Sequence, residues 1–169
     1  MSQHSPLDDK ADVLFTLLDT DGDGAVDRDD YLTEGHRFLD AYDVPVDSPK
    51  GKALLGARGA MWERCTALVD HDHDGVISRG EFHEWIKATQ GPDAMSIEDV
   101  LLPMHRAQFE IIDSDGDGTV DRDEFMAWRT RLGYSRDGVA ALFSKTDADK
   151  DGRITLDEFH RANSSFAVR

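Results

Sequence analysis

Apolar residues along this chain recur at helical spacing, in stripes interrupted four times by twelve-residue runs that are almost wholly polar. Ala11, Leu14, Phe15 and Leu18 share one helical face; Phe109 with Ile112, and Val139 with Leu142 and Phe143, hold equivalent places further on. Each polar run is followed at once by an aromatic residue: Tyr31, Phe82, Phe125 or Phe159. Trp85 with Ile86, and Trp128 with Leu132, continue the stripe. The pattern predicts helix, loop, helix four times over, an all-α fold of eight main helices.

The polar runs start 51, 43 and 34 residues apart. The last interval is near the minimum for two such units joined by a short turn. The first leaves room for an exiting helix to about Tyr42, a VPVDSPKG linker at 44–51 and a long entering helix to Val69. Leu54, Leu55, Met61, Trp62, Cys65, Leu68 and Val69 give that helix its apolar positions. Gly51, Gly56 and Gly59 weaken its start, at about 1 kcal/mol each relative to Ala, and mark either a late start or a close crossing. Further on, GPDAMS at 91–96 breaks any continuous helix. Ser96 is placed to cap the next one, whose first turn carries Glu98 and Asp99. Pro103 either kinks that helix or delays its start. The expected organisation is an N-terminal pair of units at 1–90, a short joint at 91–95 and a C-terminal pair at 96–169, folded against each other.

The polar runs are themselves a repeat: DTDGDGAVDRDD at 19–30, DHDHDGVISRGE at 70–81, DSDGDGTVDRDE at 113–124 and DADKDGRITLDE at 147–158. All fit D-x-D-x-D-G-x5-[DE], a pattern that chance would supply on the order of 0.01 times in a chain of this composition. The net charge is −16, and the runs carry −5, −3, −5 and −3 of it, so the other 121 residues are neutral. Acids at that density repel unless a cation sits among them.

Runs of this spacing resemble the calcium loops of EF-hands, and the resemblance implies a role for each position. A hard divalent cation takes six to eight oxygens at about 2.3–2.6 Å. Positions 1, 3 and 5 would supply carboxylates: Asp19, Asp21 and Asp23; Asp70, Asp72 and Asp74; Asp113, Asp115 and Asp117; Asp147, Asp149 and Asp151. Position 6 is Gly24, Gly75, Gly118 or Gly152, where a sharp turn is needed. Position 7 would give a backbone carbonyl (Ala25, Val76, Thr119, Arg153), and position 9 would act directly or through water (Asp27, Ser78, Asp121, Thr155). Position 12 would close the shell with both carboxylate oxygens: Glu81, Glu124, Glu158 and, one methylene shorter, Asp30. Position 8 is β-branched throughout (Val26, Ile77, Val120, Ile154), which implies short antiparallel bridges between first and second and between third and fourth loops.

The extended first interval and the Gly-Pro joint are similar to those of the sarcoplasmic calcium-binding protein group, with its calerythrin-like bacterial members and calexcitin. That resemblance spans about residues 7–166 and implies a compact globule of two EF-hand pairs. One hand of that group often lacks its ligands; here all four keep acids at positions 1, 3, 5 and 12. Up to four Ca²⁺ are therefore expected, with Mg²⁺ best accommodated in the loop ending at Asp30, where a monodentate carboxylate suits an octahedral shell. Arg outnumbers Lys 13 to 6 and Asp outnumbers Glu 27 to 8, the balance of a GC-rich bacterial genome.

The acidic charge argues against nucleic acid and anionic membranes as partners. No apolar run approaches the roughly 20 residues of a membrane helix, no signal peptide is visible, and a lone Cys65 forms no internal disulfide, so a cytoplasmic monomer is expected. His71 and His73 occupy positions 2 and 4 of a loop and should point outward rather than bind zinc. Four equivalent acid clusters without a nucleophile–base pair do not make an enzyme. Met1, Met61, Met95, Met104 and Met126 form no cluster of the kind a calcium sensor exposes. Aromatics take those places, which favours a calcium buffer or signal modulator over a sensor that grips a protein partner in an apolar cleft; such a partner stays unnamed.

Overall fold

The computed structural model describes residues 6–88, 98–131 and 136–168. Along them run α1 (Pro6–Leu18), β1 (Ala25–Val26), α2 (Arg28–Ala41), α3 (Pro49–Val69), β2 (Ile77–Ser78), α4 (Arg79–Ala88), α5 (Glu98–Ile112), β3 (Val120–Asp121), α6 (Arg122–Arg131), α7 (Arg136–Thr146), β4 (Arg153–Ile154) and α8 (Leu156–Val168). Every strand lies inside an acidic run, between an entering and an exiting helix. β1 pairs antiparallel with β2, Val26 opposite Ile77, and β3 pairs with β4, Val120 opposite Ile154. All four of these residues are buried, so each two-residue ladder joins its loops by apolar contact as well as backbone hydrogen bonds.

The long helix α3 resolves the choice its glycines left open. It starts at Pro49, with Ser48 as N-cap accepting from the Gly51 N–H, so its start is not delayed. Gly51 is there because the linker presses on it: a Cβ would lie 2.3 Å from the Pro45 carbonyl oxygen. The tight helix crossing falls elsewhere, at Gly35 on α2, where a Cβ would come within 2.7 Å of the Arg58 side chain. α5 begins at Glu98 and runs through Pro103. The joint at 91–95, Ser96 and Leu132 lie outside the described residues.

Burial follows the apolar stripes but not the order of the chain. One core cluster gathers Phe109, Ile112, Val120, Phe125, Trp128, Val139, Phe143, Ile154 and Phe159 with Phe38, Leu39 and Leu54 from the first half. The other gathers Ala11, Phe15, Val26, Trp62, Cys65, Val69, Ile77, Phe82 and Ile86 with Leu101 from α5. α3 serves both: Leu54 packs in the first cluster, Met61, Trp62, Cys65 and Val69 in the second. It does so because it packs against α2 and α4 along its own half and against α5 across the halves. Burial pushes the Cys65 thiol up to about 11, as befits an inert core residue. Among the described residues no helix is long and apolar enough to cross a membrane.

Candidate metal centre

Each acidic run folds into a loop whose backbone N–H groups point inward at its own carboxylates. The N–H of position 6 donates to the position 1 carboxylate in all four loops: Gly24 to Asp19, Gly75 to Asp70, Gly118 to Asp113 and Gly152 to Asp147, at 2.9–3.1 Å. Position 5 donates to position 3, and position 7 to position 5, again in every loop. This winding needs left-handed backbone at position 6, where φ is 85–93° and every residue is glycine. It needs left-handed backbone at position 4 too, supplied by Gly22 and Gly116 in the first and third loops but by His73 and Lys150 in the second and fourth.

The closing carboxylate spans each loop between two amides ten residues and three residues upstream. Glu81 accepts from the N–H of His71 and Ser78, Glu124 from Ser114 and Asp121, and Glu158 from Ala148 and Thr155. Asp30, despite its shorter arm, accepts from the same two places, Thr20 at 2.9 Å and Asp27 at 3.2 Å. Position 9 returns the favour as N-cap of the exiting helix: Asp27 and Asp121 accept from the N–H of residues 30 and 124 at 2.8 and 2.9 Å. Ser78 and Thr155 do so through their hydroxyls, at 3.4 and 3.3 Å.

A partner absent from the sequence reading is the hydroxyl that clamps the closing carboxylate. In the first and third loops it sits at position 2: Thr20 Oγ1 donates to Asp30 at 2.6 Å, and Ser114 Oγ to Glu124 at 2.8 Å. In the second and fourth it sits at position 9: Ser78 Oγ donates to Glu81 at 2.7 Å, and Thr155 Oγ1 to Glu158 at 2.9 Å. The signal was present as Thr20 and Ser114, but position 2 carries no ligand in the loop pattern and so drew no attention.

These donors set the charge state. Burial alone would raise the Asp30 carboxyl, yet the Thr20 hydroxyl and the N–H groups of Asp27, Thr20 and Asp21 together hold it below its ordinary 3.8. Glu158 is likewise held below 4.5, burial being outweighed by the Thr155 and Ala148 amides and the Thr155 hydroxyl. For Glu81 the Ser78 hydroxyl leads, against burial and with the amides of Ser78, His71 and Asp72. Asp30, Glu81 and Glu158 are therefore ionised at neutral pH.

Positions 1, 3 and 12 converge. Oxygens of Asp19, Asp21 and Asp30, of Asp70, Asp72 and Glu81, of Asp113, Asp115 and Glu124, and of Asp147, Asp149 and Glu158 each form a group lying within 4.8 Å of one another. Three carboxylate oxygens so close together fit a hard cation of two or more charges. One atom makes the fit specific: Asp147 Oδ1 is sealed from water and has no hydrogen-bond donor. A buried polar oxygen without a partner is destabilising, and a cation would satisfy it. His71 and His73 are exposed and join none of these groups.

The comparisons with known proteins agree with this geometry. Family models described as an EF-hand domain pair match residues 103–162 and 2–33, and one described as an EF hand matches 67–86. Calerythrin of Saccharopolyspora erythraea is 27% identical over 162 residues, 94% of this chain and 90% of its own. A calcium-binding protein of Streptomyces coelicolor, whose structure is described as the basis for prokaryotic calcium-mediated regulation, superposes with a TM-score of 0.73 at 26% identity, covering 96% of this chain and 99% of the other. Calcium-loaded apo-aequorin from Aequorea victoria shares the fold, with a TM-score of 0.75 at 19% identity over 98% of this chain and 92% of its own. Four helix–loop–helix units, each closing acidic oxygens around one point, together with these matches make the chain an EF-hand calcium-binding protein related to calerythrin.

Proposed function

We propose that the protein is a cytoplasmic calcium buffer or modulator of calcium signals, monomeric and without catalytic activity of its own. Its ligands are the position 1, 3, 5, 9 and 12 side chains and the position 7 carbonyls of the four loops, acting in two pairs within 1–90 and 96–169, joined at 91–95. A bound ion supplies the positive charge that these carboxylates lack. The loop amides and hydroxyls hold the carboxylates in place beforehand, so little rearrangement opposes binding.

The observation that carries the buffer reading is the packing of the aromatics. Phe82, Phe125 and Phe159, each directly after its closing acid, are 3%, 0% and 1% exposed. Trp128 is buried beside Phe125 and Phe159, and among the described residues the large exposed apolar side chains are Val13, Leu17 and Val46. A sensor needs a broad apolar surface to offer when loaded. Fluorescence of a hydrophobic dye with and without Ca²⁺ tests this: no calcium-induced rise supports the buffer, and a several-fold rise overturns it.

The alternative is a calcium sensor that regulates a protein partner. It is favoured by the likeness to the Streptomyces coelicolor protein and by a groove of about 630 Å³ between α3 and α5, whose apolar floor of Ala57, Leu102 and Pro103 is flanked by Lys52, Arg106 and Glu110. Calcium-dependent capture of one abundant protein from the native lysate, together with a dye response, would establish it.

A further inference from the structure

We propose that Arg153 is a tethered cation set against Asp117 that lowers the calcium affinity of the third loop. This rests on calcium occupying the loops as described above. Arg153 holds position 7 of the fourth loop, where the backbone carbonyl is the expected ligand and the side chain is left over. That side chain crosses to the third loop. Its Nη1 donates to Asp117 Oδ2 and, at 2.9 Å, to Thr119 Oγ1.

The β3–β4 ladder places it there, pairing Arg153 with Asp121 and so aiming a position 7 side chain across the neighbouring loop. The contact is therefore built by the same register that joins the two hands.

Asp117 holds position 5 of the third loop, an expected ligand position, and its oxygens are crowded with protein donors. Oδ1 accepts from the Thr119 N–H at 2.9 Å and the Thr119 hydroxyl at 2.7 Å, and Oδ2 takes the guanidinium. Its counterparts Asp23, Asp74 and Asp151 each accept at Oδ1 from the position 7 N–H, and among the described residues no cation pairs with their Oδ2. The N-terminal pair supplies the contrast. There the residue equivalent to Arg153 is Val76, which has nothing to donate to Asp23.

Two effects then act in one direction. The guanidinium must leave Oδ2, or share it, before Asp117 can turn that oxygen to an ion, and its positive charge repels a dication from the loop. Arg153 and Asp117 are 53% and 36% exposed in their side chains, so water and salt weaken both effects without abolishing them. At these separations a single charge acting on a dication through solvent changes affinity by about three- to tenfold. By linkage, drawing Asp117 into its own loop also frees Arg153, whose backbone belongs to the fourth, so the two sites feel each other through this side chain.

The test is a site-resolved calcium titration by ¹H–¹⁵N NMR. The N–H groups of Gly118 and Gly152 donate to Asp113 and Asp147 and report the third and fourth loops separately; those of Gly24 and Gly75 report the other two. In the Arg153→Gln variant the Gly118 midpoint should fall about three- to tenfold in calcium concentration, with less change in added KCl, while Gly24 and Gly75 stay put. The reciprocal variant Val76→Arg should raise the Gly24 midpoint by a similar factor. An unchanged Gly118 midpoint in Arg153→Gln would overturn the proposal, and a raised one would show a brace instead of a competitor. If Gly118 in the unmodified chain ignored calcium, the calcium reading itself would fail, which is a different outcome from either.

Discussion

The first and third loops close around their centres differently from the second and fourth, and each paired ladder joins one of each kind. The odd loops have glycine at position 4, a hydroxyl at position 2 clamping the closing acid, and aspartate at position 9 capping the helix. The even loops force His73 and Lys150 into left-handed backbone and place the clamping hydroxyl at position 9, so one side chain both holds the acid and caps the helix. The difference reaches position 1. Gly22 and Gly116 donate their position 4 N–H to Asp19 and Asp113 at 2.8 and 2.7 Å; in the second loop Asp70 Oδ1 accepts instead from the Asp74 N–H at 3.2 Å, and in the fourth Asp147 Oδ1 receives no donor and is left for an ion. Two local sequences thus reach one cage, which shows that the cage geometry, and not any single set of supporting residues, is what the fold preserves.

Metal removal is the harshest way to break the comparison, since it takes from both kinds the charge around which they are built. At a thousandfold excess over Kd each independent site adds about 4 kcal/mol. Chelation should therefore lower the melting temperature by tens of degrees in calorimetry, and a shift of a few degrees would contradict the account. Acid should come next, acting on a feature both kinds share. Asp30, Glu81 and Glu158 are all held below their ordinary values of 3.8, 4.5 and 4.5. A lowered folded value means the unfolded chain takes up protons first, so this stability is present above about pH 4.5 and drains away as pH falls through the folded values. Circular dichroism of metal-free protein should show it, and stability that stays level from pH 5 to 3 would refute it.

Smaller changes sharpen the contrast loop by loop. Asp30→Glu should tighten the first loop for Ca²⁺ over Mg²⁺ by about tenfold, since the longer arm can offer both oxygens to the larger ion; competitive calorimetric titration reads this directly. Thr20→Ala should weaken the first loop and Ser78→Ala the second, each by about fivefold for one charge-assisted hydrogen bond, with the other loop unaffected. Equal effects of Thr20→Ala on both loops would mean that the clamp is not local. Smallest of all, Lys150→Gly should relieve the left-handed strain of the fourth loop and raise thermal stability by about 0.5–1 kcal/mol, where no gain would show the strain to be negligible.

The four loops were legible as metal-binding repeats because their chemistry is compressed into twelve consecutive positions, with charge, glycine and β-branched residues at fixed offsets. The helices were legible because aromatic and aliphatic residues recur at helical spacing on both sides. What the sequence did not disclose is contact between distant segments. Nothing local marks Thr20 as the clamp on Asp30, or says that Arg153 reaches Asp117 across 36 positions. Nor do the three glycines of α3 say which presses on something: Gly51 does, against the linker, while Gly56 faces open space.

Residues from each half complete the interior of the other: Phe38, Leu39 and Leu54 among the C-terminal aromatics, Leu101 and Met104 among the N-terminal ones. A fragment cut near residue 90 would carry these plugs away and open a hole in the piece left behind. Titrating isolated halves would then measure repair of a damaged interior along with ion uptake, so intrinsic affinities must come from the intact chain.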